Sequence, residues 1–115
     1  MLTFSNGLVV YLSGDTGVTA EQDLVVRRMY KAGLVLLNIG GTFTTGPQEA
    51  AYVVNELVKP TAVIASHANE LVAEGGKLRT GTKTETFTKA TTVPVRLPLS
   101  GRTMESAASG ACAAG

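Results

Sequence analysis

Three short runs of almost continuously apolar residues constrain this chain most: 8–12 (LVVYL), 34–39 (LVLLNI) and 61–65 (TAVIA). A run without polar alternation suits a strand buried on both faces, which is the habit of parallel sheets. The stretches between them carry helix signals. Thr19 with Gln22 forms a capping box, and Glu21 and Asp23 suit the positive end of a helix dipole. Val25, Met29 and Ala32 share one face of that helix, Lys31 lies in its last turn, and Gly33 is expected to close it in the left-handed conformation. A second helix is expected from Pro47 to about Val58, with Ala50, Val54, Leu57 and Val58 as its apolar stripe and Pro60 as its stop. Strand and helix thus alternate through short connections, the pattern of an α/β layer with a largely parallel sheet.

The flanks are read by the same rules. Asn6-Gly7 between apolar runs predicts a hairpin, since both residue types tolerate positive φ. Thr80, Thr82, Thr84, Thr86 and Thr88 alternate as in a strand, but Thr82 with Glu85 makes another capping box. With Phe87 and Ala90 on one face, a short helix at about 83–90 is preferred. Residues 93–99 (VPVRLPL) suit an edge strand, because proline donates nothing to a central ladder. A single domain over residues 1–105 is expected, and residues 106–115 read as a flexible low-complexity tail.

Composition narrows the function classes. The 115 residues have a net charge of +1, so no global field favours nucleic acid or an anionic membrane. Residues 1–76 hold 4 basic and 7 acidic side chains, whereas residues 77–102 hold 6 basic and 1 acidic. That basic stretch has only Phe87 as an aromatic, so it reads as a solvated face rather than a single-strand-binding surface. The one cysteine, Cys112, permits no internal disulfide. The longest apolar runs fall far short of the roughly 20 residues that span a bilayer. The start of the sequence has neither a basic segment nor a long apolar one, unlike a signal peptide. A cytoplasmic protein without nucleic-acid or membrane partners is the expectation.

Chemistry-bearing residues cluster after the strands. Asp15 follows the first buried run, Gly40-Gly41 the second and Ser66-His67 the third. In parallel sheets ligands bind beyond the carboxyl ends of the strands, so these loops are candidates for one shared site. Asp15 can be a metal ligand, a general base or a cap for the helix region at Thr19. His67, the only histidine, can be a ligand or a hydrogen-bonded structural group. A carboxylate and an imidazole suit a divalent transition metal, but two ligands are too few for a stable site. The sequence contains no phosphate-loop pattern, and no serine lies in a nucleophile elbow.

In series, residues 11–17 (YLSGDTG), 36–51 (LLNIGGTFTTGPQEAA), 57–60 (LVKP) and 63–69 (VIASHAN) resemble the C-terminal half of metallo-β-lactamase-fold hydrolases, in the branch related to L-ascorbate-6-phosphate lactonase. The resemblance implies half of a four-layer αββα sandwich: a mixed sheet with helices on one face. It implies that Asp15 corresponds to the carboxylate bridging two metal ions and His67 to the late histidine of the second metal. Gly40, Gly41, Thr42, Phe43 and Thr44 would belong to the loop walling the substrate cleft. The departure is large, because the family's H-x-H-x-D-H cluster and a further histidine lie in an N-terminal half that has no counterpart in this sequence.

The resemblance further implies an apolar second face of the sheet. If about ten strand side chains each expose roughly 50 Å², covering them gains on the order of 10 kcal/mol before entropy. The expected cover is a second copy, in a homodimer that brings Asp15 and His67 of both protomers to one cleft. One divalent ion, zinc or manganese, could bind there. The expected function is that of a truncated, homodimeric half-domain without conventional hydrolase activity. The alternative is a metal-dependent hydrolase of esters, lactones or phosphodiesters, active only as a composite dimer or with a separate N-terminal half.

Overall fold

The structure, a computed structural model, describes residues 1–40, 46–66, 73–74, 77–78, 80–98 and 103–114, with the backbone alone for 73–74, 77–78 and 112–114. Its centre is a five-stranded mixed sheet. The strands are β1 (Leu2–Thr3), β2 (Val9–Leu12), β3 (Leu34–Asn38), β4 (Ala62–Ser66) and β7 (Val95–Arg96), in the order β1-β2-β3-β4-β7. The β1–β2 pair is antiparallel and all other neighbours are parallel. Two small antiparallel pairs lie outside it: β5 (Ala73–Glu74) with β6 (Lys77–Leu78), and β8 (Met104–Ser106) with β9 (Cys112–Ala114). The segment read from sequence as a low-complexity tail therefore supplies most of the hairpin β8–β9.

The predicted hairpin forms, but through one positive φ rather than two. Gly7 has φ +94° and its N–H donates to the Phe4 carbonyl at 3.0 Å. Asn6 instead uses its side chain, whose Oδ1 accepts from the Leu8 N–H at 3.0 Å. The turn sets the register Leu2↔Val10 and Thr3↔Val9.

Three helices are described: α1 (Gln22–Arg27), α2 (Pro47–Tyr52, continuing over Val53–Val58) and α3 (Lys83–Ala90). In α1 the hydrogen bonds widen to five residues, as from the Arg28 N–H to the Asp23 carbonyl at 3.1 Å. The expected Gly33 closure is corrected here. Lys31, with φ +54°, takes the left-handed position two residues earlier. Gly33 already belongs to the start of the central strand: its N–H donates to the Val9 carbonyl and its own carbonyl accepts from the Thr61 and Ala62 N–H groups. A Cβ at Gly33 would collide with the Ser109 carbonyl of the β8–β9 turn, so this glycine answers a close backbone approach. Helix α2 starts at Pro47 as predicted and ends with Lys59 left-handed at φ +48°, just before Pro60. Helix α3 spans the predicted residues, and its N-cap Thr82 accepts from the Glu85 N–H at 3.1 Å.

Strand alternation sorts the sheet into two faces. Val35, Leu37, Ile39, Val63 and Ala65 meet Val26 of α1, Ala50, Val53, Val54 and Val58 of α2 and Phe87 of α3 in one core. Phe87 is fully buried there. The second face carries Leu8, Val10, Leu34 and Ala62 as a smaller cluster, with Leu36 and Ile64 partly buried against it. Leu2 and Leu12, on this face by register, are 47% and 45% exposed. The open apolar surface is therefore narrower than the sequence suggested, because Val10, Leu34 and Ala62 are already covered by the protein itself.

Two outcomes follow. Phe87→Ala is expected to cost about 3–5 kcal/mol in chemical denaturation, the range for deleting a fully buried aromatic ring. Asp23 accepts from Arg27 and from Arg28 Nε at 3.0 Å, and these hydrogen bonds hold its carboxyl below the ordinary 3.8. A carboxylate depressed in the folded state stabilises it above the unfolded value, and that contribution is lost as pH falls through the folded value. Acid titration followed by circular dichroism is expected to show this loss below pH 3.8, and Asp23→Asn to have lost it already at neutral pH.

Candidate functional site at the strand ends

The parallel strands β2, β3 and β4 end side by side, and the polar residues of interest follow them. Asn38 is the last residue of β3 and is paired in register with Ser66, the last of β4. It is fully buried although its neighbours in the strand are aliphatic. By alternation it lies on the second face, one row beyond the register row Leu12–Leu36–Ile64–Arg96.

The Asn38 amide is spent on the loop after β2. Its Oδ1 accepts from the Ser13 hydroxyl at 3.0 Å and from the Thr16 N–H at 3.3 Å. Its Nδ2 donates to the Thr16 carbonyl at 3.0 Å, and its own N–H donates to Ser13 Oγ at 3.3 Å. Two sides of Asp15 are thus held by one carboxamide. Gln22, also buried, secures the far end of the loop. Its Oε1 accepts from the Thr19 N–H at 2.9 Å, the return half of the predicted capping box, and its Nε2 donates to the Gly17 carbonyl at 3.2 Å. Asp15 itself is exposed. A carboxylate presented on a loop pinned at both ends is pre-positioned for a ligand at the strand ends.

Of the other predicted site residues, Gly40 is described and buried, and its carbonyl accepts from Lys83 Nζ of α3 at 2.7 Å. Gly41, Thr42, Phe43, Thr44 and His67 lie outside the described residues. The sequence reading missed Asn38, Gln22 and Lys83 as elements of the site. Asn38 had a visible signal, being the one amide in an otherwise aliphatic strand. Lys83 had none, because its partner is 43 residues away.

The donor set does not by itself fit a metal. Among the described residues no three or more of His, Cys, Asp and Glu gather where they could hold an ion. The protein offers the strand ends one described carboxylate, Asp15, and its only histidine follows Ser66 in sequence. Zinc takes four donors and manganese more, so Asp15 does not make a metal site with the other described residues alone.

Comparison with known proteins agrees with the architecture. The sequence is 48% identical over 61 residues to a UPF0173 metal-dependent hydrolase of Caldivirga maquilingensis, covering 53% of this chain and 26% of the relative. It is 42% identical over 67 residues to a UPF0173 metal-dependent hydrolase of Polaromonas sp., covering 58% of this chain and 24% of that protein. Among solved structures, the metallo-β-lactamase-fold protein YhfI of Bacillus subtilis aligns with 97% of this chain and 42% of its own, at TM-score 0.61 and 10% identity. Igni18, a metallo hydrolase of Ignicoccus hospitalis, aligns with 90% of this chain and 40% of its own, at TM-score 0.57 and 22% identity. The fold is a portion of the metallo-β-lactamase fold. No protein-family model matches the sequence. The chain spans about a quarter of the length of these curated relatives.

In this portion of the metallo-β-lactamase fold, Asn38 carries the first test. Asn38→Leu removes the side-chain partners of the Thr16 N–H and carbonyl, and is expected to cost about 1–3 kcal/mol in denaturant melts while raising hydrogen exchange at Thr16. Asn38→Asp retains the acceptor but not the Nδ2 donor, and is expected to lie between the two.

Proposed function

We propose that this protein is a half-module of metallo-β-lactamase type that works as a homodimer and does not hydrolyse substrate unaided. The observation that carries the reading is the adjacency of two rows on the second face. The apolar row Leu12–Leu36–Ile64 lies directly beside the polar row Asn38–Ser66 from which the site loops emerge. Whatever covers the first row therefore borders Asp15. A second copy related by a twofold axis meets this condition with one surface and brings a second Asp15 and His67 to the same border. One divalent ion of the zinc or manganese class, shared between the copies, is part of this proposal. Among the described residues no helix is long and apolar enough to cross a membrane, and a cytoplasmic location is proposed with it.

A second reading is favoured by the care with which the Asp15 loop is held. The Asn38 and Gln22 amides fix that loop from both ends, which supports a presented ligand group. In this reading the protein supplies part of a metal-dependent hydrolase of esters, lactones or phosphodiesters, its centre completed across the dimer or by a separate polypeptide carrying the missing histidines. The relatives are named metal-dependent hydrolases, which supports a metal at this position.

Light scattering at micromolar concentration is expected to give a mass twice the 11.9 kDa of one protomer, and Ile64→Asp to return the monomer. A wild-type monomer would overturn the homodimer. Metal content by mass spectrometry tests the ion on which both readings draw. Metal retained by the wild type and lost in Asp15→Ala and His67→Ala supports a shared ion, whereas negligible metal in all three removes hydrolase activity from the isolated protein.

A further inference from the structure

The hairpin that opens the sheet holds a chemistry that the strand-end site does not use. Of the four asparagines, Asn6, Asn38, Asn55 and Asn69, only Asn6 precedes a glycine. Glycine offers the least steric resistance to attack by its own nitrogen on the preceding carboxamide. Residues 4–7 are exposed. The Leu8 N–H donates to Asn6 Oδ1 at 3.0 Å, which polarises Cγ toward a nucleophile. The Gly7 N–H is held by the Phe4 carbonyl at 3.0 Å, so attack requires the turn to open. Little resists that opening, because β1 is two residues long and both are exposed. The other two described asparagines are protected: Asn38 is buried with both amide atoms engaged, and Asn55 bonds Ala90 and Thr92.

We propose that Asn6-Gly7 is a site of spontaneous deamidation, and that its isoaspartyl product unfastens β1 from β2. The Gly7 nitrogen loses its proton and bonds to Asn6 Cγ; the Cγ–Nδ2 bond breaks and ammonia leaves with the proton. Water then opens the resulting succinimide. Cleavage of the Cγ–N bond gives an aspartyl residue, and cleavage of the original peptide C–N bond gives an isoaspartyl residue. No electrons are transferred. The aspartyl product keeps an oxygen for the Leu8 N–H. The isoaspartyl product adds a methylene to the backbone of the turn, which breaks the register Leu2↔Val10 and Thr3↔Val9. Leaving with β1, Leu2 uncovers the adjacent edge of β2.

The test is to incubate the full-length protein at mildly alkaline pH and follow tryptic peptides by mass. Residues 1–27 contain Asn6 and no other asparagine; residues 32–77 contain the other three, since the Lys59–Pro60 bond resists trypsin. The deamidation mass gain is expected to accumulate several-fold faster in 1–27 than in 32–77. It is expected to resolve into two products, the larger labelled by an isoaspartyl methyltransferase. Asn6→Asp is expected to abolish the gain while keeping the Phe4 amide as protected from hydrogen exchange as in fresh wild type. In the isoaspartyl fraction that protection is expected to be lost. Equal rates in the two peptides would overturn the site, and a protected Phe4 amide in the isoaspartyl fraction would overturn its consequence. These readouts involve neither metal nor oligomeric state, so they stand or fall apart from the proposed dimer.

Discussion

One carboxamide organises the functional end of this molecule. Asn38 sits where a further aliphatic residue would extend the core, and burying an amide there is costly unless every polar atom is matched. The matches come from the loop after β2, which is thereby fixed in place: Ser13 and Thr16 satisfy Asn38 only if the backbone between them turns back over the end of β3. The energetic penalty of an unpaired buried amide is what converts an irregular, glycine-containing loop into a defined one. Asp15, between Ser13 and Thr16, is carried on the segment that this constraint fixes.

The relation between site and surface follows from register. With β2, β3 and β4 parallel and aligned, their ends are level, and each row of one face runs straight across the sheet. The polar row at the end and the apolar row next to it are therefore neighbours by geometry. A portion of a metallo-β-lactamase fold that keeps this alignment keeps the polar strand ends and the apolar row beside them together.

Local features were the most legible in the sequence. Pro47 starting α2, the Thr82 cap, the Gln22 side chain accepting from the Thr19 N–H, and Phe87 as the anchor of α3 each depend on residues within a turn or two of one another, although the helix after Thr19 has Glu21 as its N-cap without a side-chain bond. The unbroken apolar runs were legible as parallel strands because apolar residues on both faces leave no alternation to misread. What escaped were long-range encounters. Gly33 looked like a helix stop because it follows a helix, yet its lack of a side chain answers Ser109, far along the sequence. The left-handed turn fell to Lys31, whose type gives no hint of it. Asn38 was read as strand, correctly, but its partners 22 and 25 residues away could not be inferred from spacing. Likewise, the cover over Val10, Leu34 and Ala62 exists only once the protein has folded.

The flank opposite the hairpin has a consequence for assembly. Strand β7 is two residues long, and Pro94 stands just before it and Pro98 just after. A tertiary amide has no hydrogen to offer a newcomer, so among the described residues Pro94 and Pro98 each remove a donor from this border. The described part of that flank is thus a poor template for copies adding side by side into a continuous ribbon. The proposed contact through the face closes on itself, whereas strand-by-strand growth would continue into a fibre.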